Sequence, residues 1–229
     1  MGFFIEGIKS ALNLLFSFNR DVYSAVFLSL RVTTLSTLFA AIIGVPLGFI
    51  IGLNNFYGKR VIIVIFNTLY SLPTVLMGLF AYGMFSRNGP LGSLGLLYTP
   101  QAMIIGQTIL IFPLITALTI SAVQAIDKKV FKTCLTLGAN YLQSSLTAFF
   151  EYKQLFVAAV IAGFGRAFGE VGVSMMLGGN IRGYTRNITT SIAFATAKGE
   201  FALGIALGLI LLLVACLISI LLQFLQRGK

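Results

Sequence analysis

Long apolar runs, broken only by mild polar side chains, dominate this chain. Residues 32–53, 61–85, 102–123, 155–177 and 203–225 each exceed the roughly 20 residues that carry a helix across a hydrocarbon core about 30 Å thick. None alternates in the segments of about ten residues that mark a membrane β-barrel. The pattern predicts an all-α integral membrane protein with five transmembrane helices. Ahead of them, Phe4, Ile8, Ala11, Leu12 and Leu15 recur at helical spacing, with Glu6, Lys9, Ser10 and Asn13 largely opposite. That predicts an amphipathic helix within residues 1–21 lying in the membrane interface. A sixth span over residues 3–18 is the alternative, although it falls short of spanning length. Residues 22–229 then form one membrane domain.

Small residues and prolines suggest how the spans meet. Gly44, Gly48 and Gly52 repeat every four residues around Pro46, a ridge that lets another helix approach closely. Gly204 and Gly208 either do the same or reflect how common glycine is in membrane helices. Pro46, Pro73 and Pro113 are positioned to kink their helices.

Composition then removes function classes. The chain of 229 residues is 58% hydrophobic and 10% charged, against about 45–50% and about 25% in soluble domains. Its net charge of +10, from 16 Lys and Arg against 6 Asp and Glu, would suggest nucleic acid in a soluble protein. In a membrane protein such residues orient the loops. Lys59, Arg60, Lys128, Lys129, Lys132, Lys153, Arg227 and Lys229 fall on one side, and Lys9, Arg20, Arg87, Arg182, Arg186 and Lys198 on the other. The bias places the N-terminus outside and the C-terminus in the cytoplasm. The absence of histidine removes the commonest zinc ligand and general base, so no metal site is expected. Cys134 lies in a polar connection and Cys216 in an apolar run, which argues against a disulfide framework. The first residues lack a basic stretch and carry Glu6, unlike a cleaved signal peptide.

Several functions remain to be weighed. There is no G-x-x-x-x-G-K-[ST] loop, HExxH pattern or G-x-S-x-G elbow, so the chain is not expected to hydrolyse ATP or act as an intramembrane enzyme. A channel would need a repeated filter, which is not apparent. A secondary transporter is a rival because Arg166 and Glu170 lie mid-span, although five dissimilar spans do not offer two related halves.

The connection over residues 124–154 is longer than a bundle needs. Val130, Cys134, Leu135, Leu137 and Leu142 suggest one helical stripe, with a turn at Gly138-Ala139-Asn140 where a left-handed residue fits. It reads as a docking platform for a soluble partner or as a helix lying on the membrane. The segment Thr133-Cys-Leu-Thr-Leu-Gly-Ala-Asn resembles the cytoplasmic "EAA" loop of ABC importer permeases. There a Glu-Ala-Ala triplet is followed three residues later by glycine, and then by Ile-x-Leu-Pro. Here the glycine is Gly138, Lys132-Thr133-Cys134 replaces the triplet, and Ala148-Phe-Phe-Glu151 stands where the proline would be.

A second stretch sharpens the likeness. The run from Gly163, Gly-Phe-Gly-Arg-Ala-Phe-Gly-Glu-Val-Gly-Val-Ser, and then Gly179-Asn-Ile-Arg-Gly-Tyr-Thr-Arg resemble the molybdate, tungstate and sulfate branch of type I ABC importers. Ser29-Leu-Arg-Val-Thr and Leu72-Pro73-Thr74 fit as well. Within the branch, the degenerate triplet and Arg186-Asn-Ile-Thr-Thr-Ser-Ile look most like the tungstate-specific permeases.

The resemblance implies the type I importer permease fold in a bacterial or archaeal plasma membrane. It also implies a second copy of the chain, a cytoplasmic ATPase dimer and an extracytoplasmic oxyanion-binding protein. No cofactor is expected in the chain, with ATP and Mg held by the partner ATPase. The coupling loop would use Lys132, Thr133, Cys134, Leu137, Gly138 and Ala139.

Arg166, Gly169, Glu170 and Ser174 are candidates for the translocation pathway or its gate. Arg166 and Glu170, four residues apart, would each cost about 2.5–3.5 kcal/mol facing lipid. They either neutralise each other and stitch helices together or line the pathway. Residues 188–197 are too short to span and read as re-entrant or cavity-lining backbone. Around them Asn180, Arg182, Thr185, Arg186 and Lys198 either meet headgroups, or dock an anion-loaded binding protein and set up a positive field. Asn187-Ile-Thr matches a glycosylation pattern that is frequent by chance.

Overall fold

The computed structural model describes residues 5, 8–10, 13, 20–125 and 129–227. The described residues fold as helices and turns, with no strand among them: α1 (Arg20–Leu53), α2 (Lys59–Tyr70), α3 (Thr74–Phe85), a 3-10 turn (Gly92–Leu94), α4 (Pro100–Ala125), α5 (Lys129–Thr136), α6 (Tyr141–Glu151), α7 (Lys153–Phe168), α8 (Gly172–Gly178), α9 (Ile188–Ala197) and α10 (Phe201–Arg227). Most of the N-terminal amphipathic segment lies outside the described residues. Ser10 and Asn13 border a shallow hollow with residues 199–203.

Three helices, α1, α4 and α10, are long and apolar enough to cross a membrane, and two bent pairs bring the number to five if each pair counts as one span. The straight helix expected over residues 61–85 is instead two helices meeting at 92°. Pro73 offers no N–H to continue the ladder and disfavours helix at the residue before it. The hydroxyls of Thr68 and Ser71 donate back to Val64 O (2.9 Å) and Asn67 O (2.8 Å), tightening the last turn of α2. Pro46 and Pro113 sit inside α1 and α4 without ending them. The run over residues 155–177 is also interrupted, between α7 and α8, and α6 joins α7 at 60°.

The centre of the bundle is the α1–α4 seam, and the glycine ridge explains its closeness. A Cβ on Gly48 would lie 2.7 Å from both Thr116 O and Thr119 Cβ, and one on Gly52 would lie 2.7 Å from Val123 Cβ. The ridge therefore serves packing within the chain. By contrast, a Cβ on Gly208 would meet nothing within 4 Å, so the Gly204/Gly208 pair forms no equivalent seam here. Ser36 Oγ donates to Val32 O (2.7 Å) and to Ile104 O (3.1 Å), a polar cross-link between the helices. Such hydroxyl bonds suit an apolar solvent, where unpaired polar atoms are costly. Ile42, Ile43 and Ile50 of α1 and Leu212 and Leu217 of α10 point outward, as expected of surfaces solvated by lipid.

Candidate functional site

Three regions hold the residues that the sequence marks. The first is the α5–α6 hairpin. The apolar stripe expected across residues 130–142 is two short helices, and Leu142 belongs to the second. Gly138 closes α5 with φ +89, and the Ala139 N–H reaches back to Cys134 O (3.0 Å). Its Cβ would meet nothing, so glycine is favoured there by the left-handed backbone and not by space. Asn140 starts α6 with a reciprocal cap: its side chain accepts from Gln143 N (2.8 Å), and its own N–H donates to Gln143 Oε1 (3.0 Å). Phe131 and Tyr141 meet edge-on at 5.2 Å, clasping the two helices.

The hairpin is rooted in the bundle by rings. Phe149 stacks on Phe156 at 4.9 Å and meets Phe49 edge-on at 5.2 Å. The Tyr141 hydroxyl donates to Asn54 Oδ1. Lys59, counted above among the orienting charges, turns its ammonium onto Gly52 O (2.9 Å) and Asn54 O (2.8 Å), capping the end of α1. Lys132, Thr133, Leu137 and Gly138 are exposed, whereas Cys134 and Ala139 are half-buried. Leu137 is 82% exposed, and Leu135, Leu142, Leu146 and Phe150 also stand out of the fold. A cluster of large apolar side chains on a short polar hairpin marks a contact surface.

The second region is the break at residues 169–171. Arg166 Nη1 lies 2.9 Å from Glu170 Oε2, with side-chain exposures of 42% and 2%. Glu170 Oε1 also accepts from Val173 N (3.1 Å), and Glu170 O accepts from Thr189 Oγ1 (2.9 Å). The buried carboxylate thus satisfies an amide at the start of α8 as well as the guanidinium. Gly172 is crowded: a Cβ there would be 3.1 Å from Thr74 Oγ1 and 3.2 Å from Glu170 Oε1. Gly169 is exposed beside Arg166. Ser174 departs from the expectation. It is fully buried and accepts from Gln107 Nε2 (3.0 Å), so it belongs to the α4–α8 contact and lines no open surface of this chain. Gln107 and Thr189 were missed by sequence reasoning. A glutamine inside an apolar run was the available signal for the first.

The third region is the loop over residues 179–187 together with α9. Residues 188–197, expected as re-entrant or cavity-lining backbone, form a helix, α9, with Ile188, Thr189 and Thr190 buried and Ser191, Phe194 and Ala195 lining a cavity. Asn187 caps it, accepting from Thr190 N (2.8 Å), while Ile188 N donates to Ser29 Oγ (3.0 Å). Asn187 is only 3% exposed, so the glycosylation pattern has a structural role. Thr185, fully buried, accepts from Ile181 N (3.0 Å) and donates to Gly178 O. Gly179 is needed twice over: its φ is +67, and a Cβ would press 2.6 Å from the Tyr98 ring. Asn180 takes φ +51 and binds Arg186 through its side chain (3.2 Å) and its carbonyl (3.2 Å).

Arg182 makes a two-point contact with Asp21, 3.2 Å at Nε. Asp21 lies in the first turn of α1, ahead of the uncharged run that begins at Val32. The hydrogen bond from Arg182 holds its carboxyl below the ordinary 3.8. Arg182 is therefore neutralised within the chain.

Residues 44–229 match the family of binding-protein-dependent transport system inner membrane components. A tungstate uptake system permease protein (TupB) of Peptoclostridium acidaminophilum is 42% identical over 205 residues, 90% of each chain. Its counterpart in Campylobacter jejuni is 41% identical over 205 residues, 90% of this chain and 86% of that one. A molybdenum transport system permease protein (ModB) of Haemophilus influenzae is 27% identical over 173 residues, 72% and 76% of the two chains. Among solved structures, a chain of the inward-facing MetNI methionine ABC transporter shares the fold, with TM-score 0.73, 20% identity, and 91% and 94% of the chains covered.

Proposed function

The chain belongs to the family of binding-protein-dependent transport system inner membrane components, and from its likeness to tungstate permeases we propose that it conducts tungstate in an ATP-driven importer. It is a permease subunit of an ABC importer for oxyanions and not itself an enzyme; ATP hydrolysis sits in a partner subunit. The observation that carries tungstate is the near full-length identity of 42% and 41% to two tungstate permeases, against 27% to a molybdenum permease.

In this reading the α5–α6 hairpin is the coupling element. Leu137 and its apolar neighbours would enter a cleft of an ATPase that holds ATP and Mg, with Lys132, Thr133, Cys134, Gly138 and Ala139 at the contact. That puts the hairpin in the cytoplasm and the start of α1 outside, and a substrate-binding protein delivers the anion at the outer face. A second copy of the chain completes the pathway. Arg166 supports this arrangement: a half-exposed guanidinium in the last turn of an apolar helix is costly against lipid, so a water-filled path between two copies suits it. Gly169 beside it adds no bulk, and Glu170 holds Arg166 in place from the buried side.

The test is reconstitution of the full-length chain with its ATPase and binding protein, comparing tungstate, molybdate and sulfate. Tungstate should stimulate ATP turnover and uptake at the lowest concentration. Preference for molybdate or sulfate would reassign the substrate within the branch. Transport that needs no ATPase would refute the importer reading.

A further inference from the structure

A cavity of about 330 Å³ opens at the outer end of the bundle, between the start of α1, the 179–187 loop, α9 and the start of α10. Its chemistry is divided. The floor is apolar, formed by Val22, Ala25, Leu203 and Leu207, and the rim is charged, carrying Arg182, Arg186, Lys198, Asp21 and Glu200. At the centre stands Phe194. The Arg186 guanidinium lies 4.7 Å from its ring centroid and the Lys198 ammonium 4.5 Å. The two cations are therefore no more than about 9 Å apart, gathered by one ring that attracts each through its quadrupole. Two like charges held so close repel, and an anion received between them relieves that repulsion.

The charge count selects the kind of anion. Asp21 and Arg182 satisfy each other in a two-point contact and cancel. Among the described residues, Arg186 hydrogen-bonds the neutral Asn180 and lies over the ring, and Lys198 lies over the same ring. Against these two positive charges stands the exposed Glu200, which leaves a surplus of one. A free dianion would exceed that surplus, whereas a phosphodiester matches it. The apolar floor also has no use for an inorganic anion, but it accepts hydrocarbon. The rim lies at the start of α10, the end of an apolar helix long enough to cross a membrane, where lipid headgroups would meet it.

We propose that this pocket binds an anionic phospholipid, with its phosphodiester between Arg186 and Lys198 and an acyl chain along Val22, Ala25, Leu203 and Leu207. The site rests on the membrane embedding of the chain and not on which anion is transported. Bound lipid would extend the apolar cluster of Val22, Leu207 and Ile210 with Ile192 and Leu203, which already packs α9 against the starts of α1 and α10.

Full-length protein in detergent, stripped of lipid, should retain phosphatidylglycerol added from micelles and gain thermal stability, with phosphatidylcholine a weaker ligand. Lys198→Gln and Phe194→Leu should each weaken phosphatidylglycerol binding about five-fold, the effect of one surface cation on an anionic lipid. Glu200→Gln should strengthen it by a similar factor, a gain that a damaged fold cannot mimic. Sodium tungstate and inorganic phosphate, which carry the same oxyanion chemistry without the tail, should stabilise the protein little. Equal phosphatidylglycerol affinity in the wild type, Lys198→Gln and Glu200→Gln would overturn the site. Stabilisation by the inorganic anions that matches the lipid's would overturn the lipid as its occupant.

Discussion

Replacing Gly48 by alanine adds one methyl group at the tightest point of the α1–α4 seam. That methyl would stand 2.7 Å from Thr116 O and from Thr119 Cβ, where ordinary contact begins at 3.4 Å. Neither neighbour is the free end of a flexible side chain. Thr116 O is backbone, and Thr119 is fixed by its own hydroxyl bond to Ile115 O (2.7 Å). The helices must therefore separate by several tenths of an ångström, which also stretches the Ser36–Ile104 cross-link. Overpacking of this kind costs about 1–3 kcal/mol. Alanine also gains up to about 1 kcal/mol over glycine as a helix former, which would blur a single measurement. Gly208→Ala supplies the reference, because it carries the same propensity gain into open space within the chain. The difference between the two variants isolates the seam and should be about 1–3 kcal/mol, with Gly48→Ala the less stable. Gly44→Ala should fall between them, since its nearest neighbour is Thr116 Oγ1 at 3.0 Å. Thermal unfolding of the full-length chain in one detergent at fixed protein concentration reads all three. If Gly48→Ala melts with Gly208→Ala, the glycines do not set the α1–α4 distance and the packing argument is wrong.

Other expectations concern the charged residues. A double-mutant cycle with Arg166→Gln and Glu170→Gln should show coupling of about 1 kcal/mol in thermal stability, reduced from a fully buried pair because Arg166 is half exposed. Additive losses would mean the 2.9 Å contact contributes nothing. The Asp21–Arg182 pair contributes stability above the ordinary carboxyl value of 3.8, and that contribution is lost as pH falls through the lower folded value. Asp21→Asn should remove this part of the acid sensitivity, measured as the change of melting temperature with pH under low salt; an unchanged acid limb would contradict it.

Much of the fold is legible in the residues because lipid makes one demand above all others. A backbone without water must be helical over the full thickness of the membrane, so apolar length by itself marks the spans. The turn at Gly138-Ala139-Asn140 was legible for a local reason: a left-handed residue and a side-chain cap depend on the residues that form them. The positions of Arg166 and Glu170 in one apolar run likewise marked a pair four residues apart, and they meet, although α7 ends at Phe168 between them.

What the sequence left open depends on partners far along the chain. Apolar length cannot tell a straight span from one bent by 92°: Pro73 marks where the helix breaks, but the angle is set by packing, with α2 against α4 and α3 burying Gly78, Ala81 and Phe85, partly against α8. The glycine ridge was visible, but its partner was not, since Thr116, Thr119 and Val123 come from another helix. Ser174 looked like a pathway residue until Gln107 reached it across 67 positions. The cations at 182, 186 and 198 looked alike in a charge count, and the tertiary structure divided them: Arg182 to Asp21, and Arg186 and Lys198 to one phenyl ring. Periodicity and local chemistry, which act between near neighbours, were decided by the sequence alone. Which polar atom meets which, and which charge is left over, was decided by the folding of distant helices against one another.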